Sequence, residues 1–310
     1  MVKMNKNIFI RRFYILMLFL LVLSCRDMET VVQIELPPVE KQLVVECYLE
    51  PGKPYRLLLT ETKDFFEDID ACPFVRKAMV VISHGNVKDT LSEAVFFNDN
   101  CDVNDAIPYG FLPSFSPDST RFYNYGSDVI CPLEYNETFM IEVWDTLNNR
   151  FASATTKMIP PVPIENFLYE FNEDSQAYAL LSAMDNASTE DYYRFLLHKG
   201  SLTKKQSNGV FTLPIAKRPV FDRVIDDQGI FAGNEVITAT NYRFEDQDTL
   251  IGTVYHISKE HHDYLESVDD AQSANVSPFA QPASIISNIV GGVGIFAFLS
   301  YERDTLYVLQ

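Results

Sequence analysis

Three hundred and ten residues, 47 % hydrophobic and 22 % charged, carry enough apolar side chains for about two packed cores and exclude a disordered chain. The formal net charge is −18. A surface of that sign repels phosphate backbones and anionic headgroups, which excludes nucleic acid as a partner and electrostatic docking on a membrane.

Residues 1–24 open with Lys3, Lys6, Arg11 and Arg12 and no acid, and continue into an unbroken apolar run over 13–23. Eleven apolar residues are too few to cross a bilayer, which takes about 20 in a helix. Positive charge, apolar run and small residue come in the order of an export signal, and its removal leaves a net charge of −22. Ser24 before Cys25 resembles a bacterial lipobox, in which the chain is cut before the cysteine and its thiol is acylated. Residues 25–40 are then a lipid anchor and tether. Acyl chains such as palmitate contribute about 0.8 kcal/mol per buried methylene, so two or three of them hold a protein at a leaflet without a spanning helix.

Past the tether the chain reads as strands. Segments 42–49, 55–62, 77–83, 139–143 and 151–158 are short, rich in Val, Ile, Tyr, Phe and Thr, and several alternate apolar with polar. Segment 87–91 is a candidate short fourth strand. Gly52, His84-Gly85-Asn86 and Leu147-Asn148-Asn149 supply hairpin turns. This spacing predicts an N-terminal Ig-like β-sandwich over residues 41–159. Pro160, Pro161 and Pro163 lack amide donors, so 160–163 is expected as a Pro-rich linker. A second β-rich domain follows over 164–310, with strands at 192–198, 210–213, 236–240, 250–256, 295–299 and 306–309. It carries one short helix over 258–271, capped by Ser258.

Four further cysteines, Cys47, Cys72, Cys101 and Cys131, allow three complete pairings in an oxidising compartment. Cys72 and Cys101 stand in acidic loops and form the expected bridge, whereas Cys47 sits in a buried strand and reads equally well as a small apolar residue. The acids beside the loop pair, among them Asp68, Asp70, Asp99 and Asp102, would suit a Ca²⁺ ion. Their spacing is not that of an EF-hand, and a solvated acidic loop is the simpler reading, so no metal is expected. Residues 94–130 show no sustained period over a length well beyond that of a connector. Phe65, Phe66, Tyr109, Phe111, Phe115 and Tyr123 are the candidate ligand- or partner-binding residues of these loops, because exposed aromatics stack on sugars and anchor partner proteins. A small satellite core under the loop is the alternative.

Together these pieces resemble a known family. Leu43-Val44-Val45-Glu46 with Pro51-Gly52, Met158-Ile159-Pro160-Pro161, Tyr192-Tyr193-Arg194-Phe195, Pro278-Phe279-Ala280-Gln281-Pro282 and the block from Ser287 through Gly291-Gly292 to Phe296 are similar to Bacteroidota outer-membrane lipoproteins of the domain-of-unknown-function 4249 family. The resemblance implies an accessory role beside a TonB-dependent transporter, either capturing a small-molecule, peptide or glycan ligand or capping the channel. It implies no reaction.

Catalytic signatures are missing from the sequence. There is no Gly-x-Ser-x-Gly elbow, His-Glu-x-x-His or P-loop, so no catalytic residue and no cofactor is expected; an envelope hydrolase using paired carboxylates, or a purely structural surface lipoprotein, is the alternative function. Glu260-His261-His262-Asp263 offers metal-ligand types, but adjacent residues on a helix diverge by about 100°, so a solvated face is expected there. The Gly291-Gly292-x-Gly294 run is expected to permit a tight turn or close backbone packing. Asp-Thr-Leu recurs at Asp89, Asp145, Asp248 and Asp304, which resembles a short O-glycosylation acceptor of Bacteroidota envelope proteins and makes Thr90, Thr146, Thr249 and Thr305 candidates; strand starts after a turn explain it equally.

Overall fold

Alternation of apolar and polar side chains builds the first sheet. In the computed structural model, which describes residues 40–63, 73–93, 123–201, 205–207, 210–212, 219–227, 233–276 and 283–310, strand β1 (Leu43–Leu49) buries Leu43, Val45, Cys47 and Leu49 and turns Val44, Glu46 and Tyr48 outward. A two-residue period puts alternate side chains on opposite faces of a sheet. Strands β2 (Pro54–Glu61) and β6 (Thr138–Asp145) repeat the pattern through Tyr55, Leu57 and Leu59 and through Phe139, Ile141 and Val143. Strands β3 (Met79–His84), β4 (Val87–Glu93), β5 (Tyr125–Ile130) and β7 (Arg150–Lys157) complete the N-terminal set.

The second half begins with β8 (Ile164–Phe171), β9 (Ala177–Met184) and β10 (Tyr192–Ser201), followed by the small hairpin β11 (Lys205–Ser207) and β12 (Val210–Thr212). Then come β13 (Phe221–Asp226), β14 (Glu235–Ala239), β15 (Asp248–Ile257), helix α1 (Lys259–Val276), β16 (Gly292–Phe298) and β17 (Ser300–Tyr307). The molecule is mainly β with one helix among the described residues.

Eight strands share one sheet in the order β16-β1-β2-β5-β4-β3-β6-β7. Its two edges nearly meet: Ser153 of β7 and Val290, just before β16, exchange backbone hydrogen bonds of 2.9 and 2.8 Å. The sheet curls around one core, and Phe139 of β6 meets Phe298 of β16 across it, with ring centroids 4.8 Å apart. Strand β16 lies parallel to β1 from Leu43↔Gly292 to Leu49↔Phe298. A side chain at Gly294, where φ is +117°, would place its Cβ 2.1 Å from the Val45 carbonyl oxygen, so the glycine run serves close backbone approach.

The remaining strands form a four-stranded sheet, β13-β10-β15-β17, and a three-stranded one, β14-β9-β8. Phe167, Leu181, Tyr193, Phe195, Val236 and Val254 fill the core between them. Strand β15 is buried on both faces, so it does not alternate. Its other face joins Tyr192, Leu196, Tyr255 and Leu299 in a third cluster against Leu265 of α1 and Tyr48 of β1. Residues Glu40–Gln310 thus form one compact unit, in which residues beyond 164 supply a strand to the first sheet.

Ser258 caps α1, its Oγ accepting from His261 N at 3.3 Å. The solvated face expected at 260–263 is corrected here: His261 and His262 are both buried, against Tyr48 at 5.5 Å and Tyr192 at 4.8 Å between ring centroids. The helix packs on β16, β13 and β10, so two side chains about 100° apart both find an aromatic wall.

Candidate functional site

Two places collect polar chemistry. The first is the rim of the eight-stranded sheet where segments 64–72 and 94–122 leave and rejoin the described chain. Buried Asn124 organises it: its Oδ1 accepts from Leu59 N at 2.7 Å, and its Nδ2 donates to Leu59 O at 2.9 Å and to Val75 O at 3.4 Å. The Tyr125 hydroxyl donates to Val75 O at 3.1 Å and accepts from Ala78 N at 2.9 Å. Burial raises that phenol above its ordinary pKa, partly offset by the Ala78 amide. Glu61 N bonds Pro73 O at 2.8 Å, and Arg76 pairs with Glu93 at 3.1 Å. One asparagine and one tyrosine therefore tie together the residues that flank both segments.

The N-terminal end of the fold enters at the same rim. Lys41 pairs with Glu61 at 3.2 Å, and its carbonyl accepts from Arg150 Nη1 at 3.4 Å. Arg150 also reaches Glu61 at 3.0 Å and Asp145 at 2.6 Å. Asp145 is desolvated, yet donation from Asn148 and Arg150 outweighs burial and holds its carboxyl below the ordinary range.

Strand β5 pairs with β4 only at Ser92↔Gly126 and Glu93↔Tyr125. Where the two splay apart, a cleft of about 370 Å³ opens, lined by Tyr55, Arg56, Thr90, Ser92, Tyr123 and Asp128 among others. The Arg56 guanidinium sits over the Tyr123 ring, 4.7 Å from its centroid, a cation against an aromatic face. Beneath the cleft, Cys47 and Cys131 are buried free thiols. Burial pushes both upward, Cys131 to about 12, which keeps them protonated and unreactive.

Of the candidate binding aromatics, Tyr123 lies in this cleft. Phe65, Phe66, Tyr109, Phe111 and Phe115 lie outside the described residues, as do Cys25, Cys72, Cys101, Asp68, Asp70, Asp99 and Asp102. Thr90, Thr146 and Thr305 are exposed, whereas Thr249 is 7 % exposed and paired into β15.

The second place is a carboxylate corner of the other sheets. Asp185 follows β9, Asp191 precedes β10 and Asp227 follows β13; one oxygen of each lies within 4.8 Å of the others. Antiparallel pairing of Tyr192 with Asp226 brings the last two together. Asp191 N donates to Asp227 Oδ2 at 2.9 Å. Asp185 accepts from the Tyr193 hydroxyl at 2.7 Å and from Gly233 N at 2.6 Å. Gly233 has φ of +72°, and a Cβ there would stand 2.5 Å from that of Ala187, so the donor requires glycine.

His256 completes the corner, with Nε2 3.1 Å from Asp191 Oδ1 and Nδ1 2.7 Å from Pro160 O. A carbonyl only accepts, so Nδ1 donates; the Nε2 contact then needs a proton on either the imidazole or the carboxylate. Burial, then the charges of Asp185, Asp191 and Glu190, raise the Asp227 pKa against the Asp191 amide, which lowers it. Such a corner can hold a proton or a hard cation. Sequence reasoning missed it, because its acids are separated by six and thirty-six residues in the chain and follow no motif.

A family model described as Domain of unknown function (DUF4249) matches residues 29–305. No curated protein matches the chain.

Proposed function

We propose that this chain, which belongs to the domain-of-unknown-function 4249 (DUF4249) family, is a lipid-anchored outer-membrane accessory protein of a Bacteroidota cell. In this reading it binds a peptide, glycan or small-molecule ligand for a TonB-dependent transporter, or caps it. Cys25 is acylated, and 25–40 tethers the fold. One observation carries the reading. The residues that receive the tether, Lys41 and Gln42, bond to Glu61 and Thr62, at the rim where Asn124 and Tyr125 gather the flanks of segments 64–72 and 94–122. The described flanks of the aromatic-rich segments therefore stand at the same rim as Lys41 and Gln42. That is the side a partner embedded in the same membrane can reach.

Aromatic side chains are the residue types that dominate binding energy at partner surfaces, and the Arg56–Tyr123 pair offers a preformed stacking site beside them. A Cys72–Cys101 bridge would hold the two segments together, and modification of exposed Thr90, Thr146 or Thr305 would decorate faces away from the cores. The finer fold reading is an Ig-like sandwich over 41–159 joined through 160–163 to a second β-rich domain over 164–310; the antiparallel pairs β1-β2, β3-β4, β3-β6 and β6-β7 fit it, whereas β16, which enters the same eight-stranded sheet from beyond 164, does not.

The test is purification of the acylated protein from solubilised outer membranes, followed by identification of what accompanies it in stoichiometric amount. A TonB-dependent transporter is the expected companion. Recovery of the lipoprotein alone from gently solubilised membranes overturns the accessory reading. A second reading, an envelope hydrolase, rests on the close carboxylates of the corner and the raised pKa of Asp227. It requires turnover of a glycosidic or ester substrate that disappears in Asp227→Asn.

A further inference from the structure

On the outer face of the first sheet, Met79, Trp144 and Phe151 stand side by side across β3, β6 and β7, as the register Met79↔Trp144↔Phe151 dictates. The Trp144 and Phe151 ring centroids are 5.4 Å apart. Met79 is 48 % exposed and Phe151 45 %. Leu147 tips the β6–β7 turn at 68 %, and Val290, bridged to Ser153 beside Phe151, is 71 % exposed. These five side chains form one apolar shoulder, which ends where Glu142 stands beside Trp144 on the same face of β6.

Three features decide what covers the shoulder. It adjoins the point where the N-terminal chain enters: Arg150, next to Phe151, holds the Lys41 carbonyl. Fourteen residues separate Cys25 from Glu40, a reach of at most about 50 Å at full extension, so an acylated chain keeps this shoulder at high effective concentration near its leaflet. Charge also fits. Although the whole chain carries −18, three of the acids near the shoulder have cationic partners, Asp145 and Glu61 in Arg150, Glu61 also in Lys41, and Glu93 in Arg76. Exposed Lys77 adds a further cation two residues from Met79. Finally, an indole flanked by Phe, Leu and Met is the chemistry that settles at the boundary of headgroups and acyl chains.

We infer that the shoulder of Met79, Trp144, Leu147, Phe151 and Val290 is a lipid-contacting surface, seated in the headgroup region of the leaflet that holds the acyl anchor. It fixes the orientation of the fold, with the flanks of 64–72 and 94–122 turned toward the membrane. This rests on Cys25 being acylated, as proposed above, and names the surface that the anchor brings down.

Trp144 is the chain's single tryptophan, so its emission reports this shoulder alone. The acylated protein is reconstituted in vesicles of phosphatidylethanolamine and phosphatidylglycerol, with or without dibrominated acyl chains. Blue-shifted emission that the brominated lipid quenches is the expected result, and Leu147→Ser with Phe151→Ser abolishes both while the protein still floats with the vesicles. Unquenched emission from an acylated, vesicle-bound protein overturns the shoulder and leaves the anchor intact. An unmodified Cys25 in protein recovered from cells overturns the anchor reading, and the shoulder falls with it when Trp144 stays unquenched; quenching without acylation upholds the shoulder by itself. A concentration-dependent dimer of the Cys25→Ser protein that Phe151→Ser dissociates would show a second copy as the occupant and overturn the proposal. Quenching of the wild-type protein needs no variant, so a misfolded double variant does not remove the test.

Discussion

The rim of the first sheet and the carboxylate corner of the others both gather acids, and they dispose of them in opposite ways. At the rim Glu61, Glu93 and Asp145 each have a cation, and Asp145 further collects Leu147 N and Asn148 N through Oδ1. At the corner, Asp185, Asp191 and Asp227 face one another with one histidine, one tyrosine, the Thr189 hydroxyl and backbone amides as their donors. Paired charge makes a surface that can approach an apolar neighbour at little electrostatic cost, whereas three carboxylates crowded together beside a single histidine repel one another. The difference leaves the first region electrostatically quiet and the second crowded with carboxylates.

The comparison breaks most completely through the rim's own scaffold. Gly294→Val sets a branched side chain against the Val45 carbonyl at positive φ and should cost about 4 kcal/mol or more. The parallel ladder of β1 and β16 must part, and thermal unfolding followed by circular dichroism should show a transition far below that of the parent. Next comes Asn124→Ala, which leaves Leu59 N and two carbonyls without their side-chain partner. Each unmet buried group costs about 1–3 kcal/mol, so a loss near 3 kcal/mol in urea denaturation is expected. The same variant should loosen the flanks of both segments while leaving the corner untouched, a contrast that amide hydrogen exchange resolves.

The smallest effects sharpen the contrast through pH. Asp145 has a folded pKa below its unfolded value, so its stabilisation is complete above the unfolded pKa and fades as pH falls through the folded one. Asp227 has a folded pKa above its unfolded value; its charge costs stability at neutral pH, and that cost vanishes as pH falls through the folded pKa. Asp145→Asn should therefore destabilise at pH 7 by about 2 kcal/mol, with the difference shrinking in acid. Asp227→Asn should stabilise at pH 7 by up to about 1 kcal/mol, and this gain too should shrink in acid. Urea midpoints measured across the acid range check both signs; equal signs would erase the distinction between the regions.

Local pattern carried most of the first sheet into view. Leucine and valine at every second position announce β1, β2 and β6 without help from the fold, and hairpin turns place β7. Strand β5 was obscured because Gly126, Ser127 and Asp128 have little strand preference of their own and are held by β2. Strand β9, Ala177–Met184, is apolar at nearly every position, so although its burial alternates over the first half its sequence shows no apolar–polar period to detect. The pairing of β1 with β16 joins residues some 250 positions apart, and nothing in either segment names the other. Site residues divide along the same line. Tyr123 was visible as one of a dense group of aromatics, while Arg56, which supplies the other half of the stack, sits in an ordinary strand. Asp185, Asp191, Asp227 and His256 become a group only when three strand ends meet. His261 and His262 looked like surface because charged neighbours surround them in the chain; Tyr48 and Tyr192, which cover them, come from distant strands.

The parallel partnership of β1 and β16 also sets a schedule. Translation delivers β1 some 250 residues before β16, so the first sheet stays one strand short throughout the synthesis of everything between them. Any product that stops before Gly292 presents β1 with a bare, apolar-flanked edge, the kind of template that recruits other strands. The arrival of β16, more than the appearance of any single core, is the event that seals this edge against its neighbours.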